Sequence, residues 1–180
     1  MIQLARIFAA LAMVAFLIFG VALIYLRPPI GADLLPLPPL IGQIDRIVVE
    51  KSARRLILWQ NGKIVRSYAM ALGFAPAGDK SRQGDGRTPE GSFRINWLNG
   101  QSAYHLSLGL DYPQPADIAK AAAGGFDPGG DIMIHGQPNS MPDAAVIQGD
   151  WTAGCIAVSN AEIREIFAAT PVGTEVEIRP

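Results

Sequence analysis

Apolar positions divide the chain into two unequal parts. Residues 7–26 form an unbroken apolar run without charge or proline. As a helix, about twenty residues cover roughly 30 Å, the thickness of a bilayer's hydrocarbon core. A run with no polar face is not the pattern of a helix lying on a soluble domain. The rest of the chain shows shorter periods. Residues 44–50, 55–60 and 63–70 read as short strands, and Asn61-Gly62 between the last two is a strong hairpin signal, because both turn positions need positive φ. Residues 91–97 and 104–110 are further strand candidates. Residues 131–135 make a short apolar run that ends in a histidine, and 174–178 read as a closing strand. The polar, Gly-rich stretch 73–86 reads as a loop. Helical signals are few. Residues 117–123 suit a short helix, and 159–169 suit a clearer one: Ser159 and Glu162 make a capping box, while Ile163, Ile166 and Phe167 share a face. The sum is a mostly β fold with one or two short helices, and no internal repeat.

These patterns give four segments: 1–6, a cytoplasmic amino-terminal end; 7–26, an anchor or signal segment; 27–43, a linker; and 44–180, the domain. The linker holds five prolines and two glycines, the composition of an extended, semi-rigid spacer. Arg6 and Arg27 flank the apolar run, and residues 22–29 offer no small-residue cleavage site, so an uncleaved membrane anchor is the expectation, with secretion after cleavage as the alternative. Either route exports the domain. The net charge is −1 and no basic patch stands out, which argues against a nucleic-acid partner. The single cysteine excludes an internal disulfide, and no spaced Cys/His set suggests structural zinc.

That cysteine, Cys155, is the first candidate for chemistry. A thiol nucleophile needs an imidazole to take its proton, a group to orient that imidazole, and amide donors for the oxyanion. His135 ends its apolar run and is followed by Gly136. Cys155 follows Thr152-Ala153-Gly154 and precedes the capped helix, with Gly154 permitting a tight turn. On spacing alone the pair is weak, since a lone Cys more often packs as a small hydrophobe and a lone His as a satisfied polar residue. Trp151 could wall a substrate groove or fill core. His105, on the same strand face as Ser107, could line a groove or simply face solvent. Arg87, Thr88 and Pro89 read as a turn feeding a strand. Asp131 with His135 and Cys155 could be drawn as a metal site, but that needs a preorganised convergence the sequence does not show.

The words around these residues resemble a known family. Ile134-His135-Gly136, a loop, and then GDWTAGCIAVSN resemble the signature of the L,D-transpeptidase catalytic domain (YkuD) family. GDGRTPEGSFRI, DPGGDIMIHG and VGTEVEIRP resemble the family's strand entry, its approach to the histidine and its final strand. The resemblance implies a β-sandwich or barrel-like fold over 44–180, Cys155 as nucleophile and His135 as general base and acid. It further implies Gly136 as the residue whose carbonyl orients the imidazole, Gly154 and Cys155 as oxyanion amides, Thr152 at the family's Ser/Thr position and Asn160 as a structural residue. Ala153 departs from the pattern, standing where a second histidine is common, and Ala157 stands where many members carry Arg. The implied activity is peptidoglycan L,D-transpeptidation, with a Cys thioester to a stem peptide passed to an amine acceptor. It implies no cofactor, no metal, a monomer, and action in the periplasm. The alternatives are a carboxypeptidase or hydrolase releasing wall-linked peptide or lipoprotein, and a non-catalytic wall-binding module.

Overall fold

The β-prone residues of 46–69 pair into antiparallel strands in the structure, a computed structural model that describes residues 38–180. The apolar run 7–26, the end 1–6 and the linker up to residue 37 lie outside the described residues. Among the described residues no helix is long and apolar enough to cross a membrane. β1 (Arg46–Glu50) pairs with β2 (Arg55–Gln60), and β2 with β3 (Lys63–Ala69). Asn61 and Gly62 sit at φ 51° and 71°, the left-handed pair that a two-residue hairpin turn of this kind requires. Leu40 packs against the core and Gln60 Nε2 donates to the carbonyls of Ile41 and Gln43. The end of the predicted spacer therefore belongs to the folded unit, which begins at Leu40.

The remaining elements are β4 (Gly91–Ser102), β5 (His105–Leu110), α1 (Pro115–Ala123), β6 (Met133–His135), β7 (Ile156–Ala157), α2 (Asn160–Ala169) and β8 (Glu175–Arg179). The strands form one sheet in the order β3-β2-β1-β8-β4-β5-β6-β7. β4 runs five residues beyond its predicted end at Trp97 because it serves two neighbours. Gly91 to Arg94 pair with β8, and Ile95 onward pairs with β5 across two register shifts, irregularities of the kind that bend a strand. β7 is not predicted from sequence, since two residues carry no alternation. α1 starts two residues earlier than predicted: Pro115 occupies its first turn, where a missing N–H costs nothing, and Gln114 and Asp117 cap it reciprocally.

The sheet is curled so that its two edges meet. The chain leaving β3 bridges β7, with Ala71 N–H to Ala157 O at 2.8 Å and Ala157 N–H to Ala71 O at 2.9 Å. On one face lie Ile47, Val49, Leu56, Leu58, Leu108, Ile134 and Ile156, all essentially sealed from solvent. α2 packs on β5 with Ile163 and Ile166 fully buried in that core. Its amino-terminal end is held by the predicted capping box: Ser159 Oγ accepts from Glu162 N–H at 3.3 Å, and Glu162 Oε2 accepts from Ser159 N–H at 2.8 Å. Truncating Ile163 to Ala is expected to cost about 2–5 kcal/mol of stability, and Ser159→Ala about 1 kcal/mol. Equilibrium unfolding of both variants checks the ranking, and a Ser159 effect as large as that of Ile163 would mean the cap does more than close a helix.

Candidate active site

The turn before β7 is stitched to the segment after β3. Thr152 N–H donates to Leu72 O at 3.1 Å, Phe74 N–H to Thr152 O at 2.9 Å, and Leu72 N–H to Asp150 Oδ1 at 2.9 Å. Arg54, from the β1–β2 turn, grips both oxygens of Asp150 at 2.7 to 3.1 Å. Inside the turn, Thr152 Oγ1 donates to Cys155 O at 2.7 Å and accepts from Gly154 N–H at 3.1 Å. Gly154 has φ 145°, and a Cβ there would lie 2.8 Å from Arg87 O, so only glycine fits. This corrects one expectation: the Gly154 amide is engaged by the turn's own hydroxyl, which leaves the Cys155 amide as the turn's candidate oxyanion donor. The result is a rigid loop that presents Cys155 immediately before β7.

β6 and β7 are parallel, with Ile134 opposite Ile156 and His135 opposite Ala157. Strand alternation, carried back one residue from β7, puts Cys155 on the same face as His135 and Ala157. His135 Nδ1 lies 2.7 Å from Gly136 O. A carbonyl only accepts, so the proton is assigned to Nδ1 and the lone pair to Nε2. The ring lies 4.7 Å from Tyr104 and 5.7 Å from Trp151, centroid to centroid, and the residue is only 4% exposed. Burial pushes the His135 pKa down, against the opposing effect of the Gly136 carbonyl. Burial likewise pushes the Cys155 thiol up, against a backbone hydrogen bond from Met133 that favours the thiolate. Both shifts favour uncharged forms, so the resting pair is a thiol and a neutral imidazole. The half-buried Cys155 Sγ donates to Asp131 O at 3.3 Å rather than to the imidazole.

Cys155 opens onto a cavity of 190 Å³ walled by Lys80, Asp131, Ala153 and the glycines 84, 129, 130 and 154. Lys80 is nearly sealed and pairs with Asp85 at 2.9 Å; Asp85 also accepts the amides of Ser81, Arg82 and Arg87, and these contacts outweigh burial to hold its carboxyl well below the usual range. A larger cavity of 490 Å³ touches Arg54, Asp150 and Ala157 but not Cys155; the thiol, not the volume, marks the candidate site.

The other predicted residues separate. Trp151 joins the imidazole cluster. His105 does not: at φ 68° its ring turns to Arg164 of α2, 3.0 Å from Nη1, so the expected shared face with Ser107 is lost. Asn160 Oδ1 accepts from Gln137 N–H and is structural. Thr88 is fully buried and accepts from Gly73 N–H, while Arg87 O abuts Gly154, so this turn supports the Cys155 loop. Asp131 offers the thiol its backbone carbonyl. Tyr104 and Lys80 were missed: Tyr104 reads as a strand start, and Lys80 sits in a polar loop whose pattern does not reveal an inward-facing cation.

Comparison with known proteins gives a consistent picture. The L,D-transpeptidase catalytic domain family model matches residues 44–178. The proposed L,D-transpeptidase YafK of Escherichia coli (strain K12) is 29% identical over 134 residues, 71% of this chain and 48% of its own length, so the chain spans about half of that relative. The proposed L,D-transpeptidase YqjB of Bacillus subtilis (strain 168) is 28% identical, covering 83% of this chain and 76% of its own. The helical cell shape determining protein Pgp2 of Campylobacter jejuni superimposes with a TM-score of 0.56 at 24% identity, over 77% of this chain and 48% of that one. An L,D-transpeptidase fragment from Xylanimonas cellulosilytica gives 0.51 at 17%, over 85% and 70%. At these identities the two structures show a shared fold.

Because burial raises the thiol's pKa, the thiolate fraction at neutral pH is small. Iodoacetamide labelling of Cys155 is expected to stay slow at pH 7 and to keep rising past 9.0, the ordinary thiol value. A rate already level below pH 7, measured by intact mass, would instead show a resting thiolate–imidazolium pair.

Proposed function

Because this chain belongs to the L,D-transpeptidase catalytic domain family, we propose that it is a cysteine-dependent acyltransferase acting on peptidoglycan stem peptides. What supports this reading is that Cys155 stands two residues before Ala157, the parallel partner of His135, and that the imidazole's tautomer leaves Nε2 a lone pair to offer.

In this reading the thiol turns from Asp131 O toward His135, and Nε2 takes its proton as sulfur attacks the carbonyl of the third stem residue, diaminopimelate in a Gram-negative wall. A concerted transfer suits a neutral pair, because no buried charge has to persist before the substrate arrives. The Cys155 amide stabilises the oxyanion. The C–N bond breaks, the imidazolium proton goes to the departing D-alanine amine, and a thioester remains. An acceptor amine then attacks, gives its proton to Nε2, and expels the thiolate, which recovers that proton. The Nδ1–H bond to Gly136 O holds the ring in place throughout and stabilises the imidazolium. Thr152 keeps the nucleophile's backbone fixed. Neither a metal nor an organic cofactor enters the scheme.

Incubation of the protein with purified muropeptides, read by mass spectrometry, tests the assignment. Cys155→Ala is expected to abolish product, and His135→Ala to lower the rate by about 10²–10⁴-fold. Turnover by Cys155→Ala would refute the nucleophile. An unreactive Cys155 in the wild type, toward muropeptides and a carbapenem alike, would favour the wall-binding alternative.

The apolar run 7–26 and the family's cell-wall substrates together support a domain tethered to the inner membrane and facing the periplasm. Protease added to spheroplasts is then expected to release the domain while the amino-terminal segment stays with the membrane. Recovery of a freely soluble periplasmic form lacking the segment would favour cleavage instead.

A further inference from the structure

Lys80 is a buried cation on the wall of the thiol cavity. It lies in the loop between β3 and β4, is only 4% exposed, and lines the same 190 Å³ space as Cys155. An ammonium has three protons to donate. One goes to Asp85 Oδ1 at 2.9 Å and one to Arg82 O at 3.1 Å; the third has no acceptor among the described residues. Nor does Asp85 belong to Lys80 alone. Its oxygens also accept from the amides of Ser81, Arg82 and Arg87, so the carboxylate is shared among several donors. Burial is the largest influence on the Cys155 thiol and raises its pKa; the Lys80 charge acts on it in the opposite direction. A buried ammonium with one proton unmatched, facing a cavity that holds a nucleophile, requires an explanation.

The surroundings narrow what can meet that proton. A lysine only donates, so the ligand must accept, and a negative charge makes the bond stronger. Asp131 lies on the same wall and disfavours a second negative charge, so a carboxylate fits better than a phosphate dianion. Gly84, Gly129 and Gly130 present backbone without side chains, which lets a compact group come close. At 190 Å³ the space is smaller than the pocket of a whole small-molecule ligand, about 300–1,000 Å³, and suits one residue of a longer chain. A terminal amino acid on the amine side of a cleaved peptide bond meets these conditions. Its carboxylate sits on the carbon bonded to the scissile nitrogen, close enough for one small cavity to take both.

We propose that Lys80 anchors a carboxylate subsite for the amine side of the scissile bond, holding the α-carboxylate of the amino acid that leaves and of the one that replaces it. The inference rests on the acyl-transfer reading above and adds what that site selects. Leaving and entering nitrogens are bonded in turn to the same carbonyl carbon, so one anchor serves both half-reactions. In the first, Lys80 holds the carboxylate of the terminal D-alanine while its nitrogen takes the imidazolium proton. In the second, an acceptor with a carboxylate on the carbon next to its amine is held in the same way, which aims the nitrogen at the thioester. Lys80 itself makes and breaks no covalent bond; it determines specificity. A stem whose last residue is amidated, or extended by a further residue, lacks the anion at this position, and so does a simple amine. The protein is thus selective for a free α-amino-acid end on donor and acceptor alike.

The test uses the full chain and two muropeptide donors that differ only in ending in D-alanine or in D-alaninamide. Acyl-enzyme formation is followed by intact mass. The wild type is expected to prefer the acid tenfold or more in kcat/KM. Lys80→Gln keeps two N–H donors for Asp85 and Arg82 O but removes the charge and the third proton, and is expected to bring the two donors within threefold by slowing the acid alone. Equal rates for acid and amide in the wild type, or an undiminished preference in a folded Lys80→Gln, overturn the proposal. Independently of turnover, D-alanine is expected to slow alkylation of Cys155 by iodoacetamide, saturably, in the wild type but not in Lys80→Gln, and D-alaninamide in neither. Absence of protection by D-alanine in the wild type also overturns it. If Lys80→Gln does not fold, the two wild-type comparisons decide. If the wild type forms no acyl-enzyme, the acyltransferase reading fails, and the protection experiment alone decides whether the subsite exists.

Discussion

The two-way backbone bridge between Ala71 and Ala157 is the constraint on which the rest of the architecture depends. A sheet whose edges were left apart would leave β7 as a two-residue edge strand with one neighbour, too short to hold its own register. The bridge supplies a second neighbour and extends the pairing through Leu72, Gly73 and Phe74 to the turn that carries the thiol. Gly73 is needed for the same closeness: a Cβ there would fall 2.1 Å from Gly86 O and 3.1 Å from Gly154 Cα. Three backbone segments meet with no side chain between them, and Cys155 is mounted on that junction.

Electrostatically the site is arranged for neutrality. The imidazole is packed by Tyr104 and Trp151, and desolvation disfavours its charged form. The cation nearest the thiol cavity, Lys80, already donates to Asp85 and to Arg82 O. In the proposed acyl transfer, charge is therefore created by the reaction rather than stored before it. Cys155 is thereby held toward its thiol form, and thiols are far less open to oxidation than thiolates.

Local rules were legible in the sequence wherever the chain obeyed them locally. Asn61-Gly62 and the Ser159–Glu162 box did what their chemistry requires, because each is satisfied within a few residues. The family words singled out Cys155, His135 and Gly136, and the Gly136 carbonyl does lie against His135 Nδ1. What could not be read depended on distant partners. β7 exists because β6 and Ala71 flank it. β4 is long because β8 and β5 both need it. His105 leaves its expected face because positive φ and Arg164 redirect it, and neither is visible in an alternation count. Gly154 was placed correctly at the turn, but its amide was assigned to a substrate when a hydroxyl two residues away had taken it.

The grip of Arg54 on Asp150 joins residues 96 positions apart. Closing so wide a chain segment has an entropic cost that local contacts do not meet, and it needs both ends of the domain to be present. The first hairpin can form as soon as it is made, but the loop that presents the sulfur cannot be completed until the last third of the chain has returned to it. A half-finished polypeptide has neither Asp150 nor the thiol, and one that had lost the β1–β2 turn would have the thiol without its mounting, so the competence of the site is in that sense a report on the completeness of the domain.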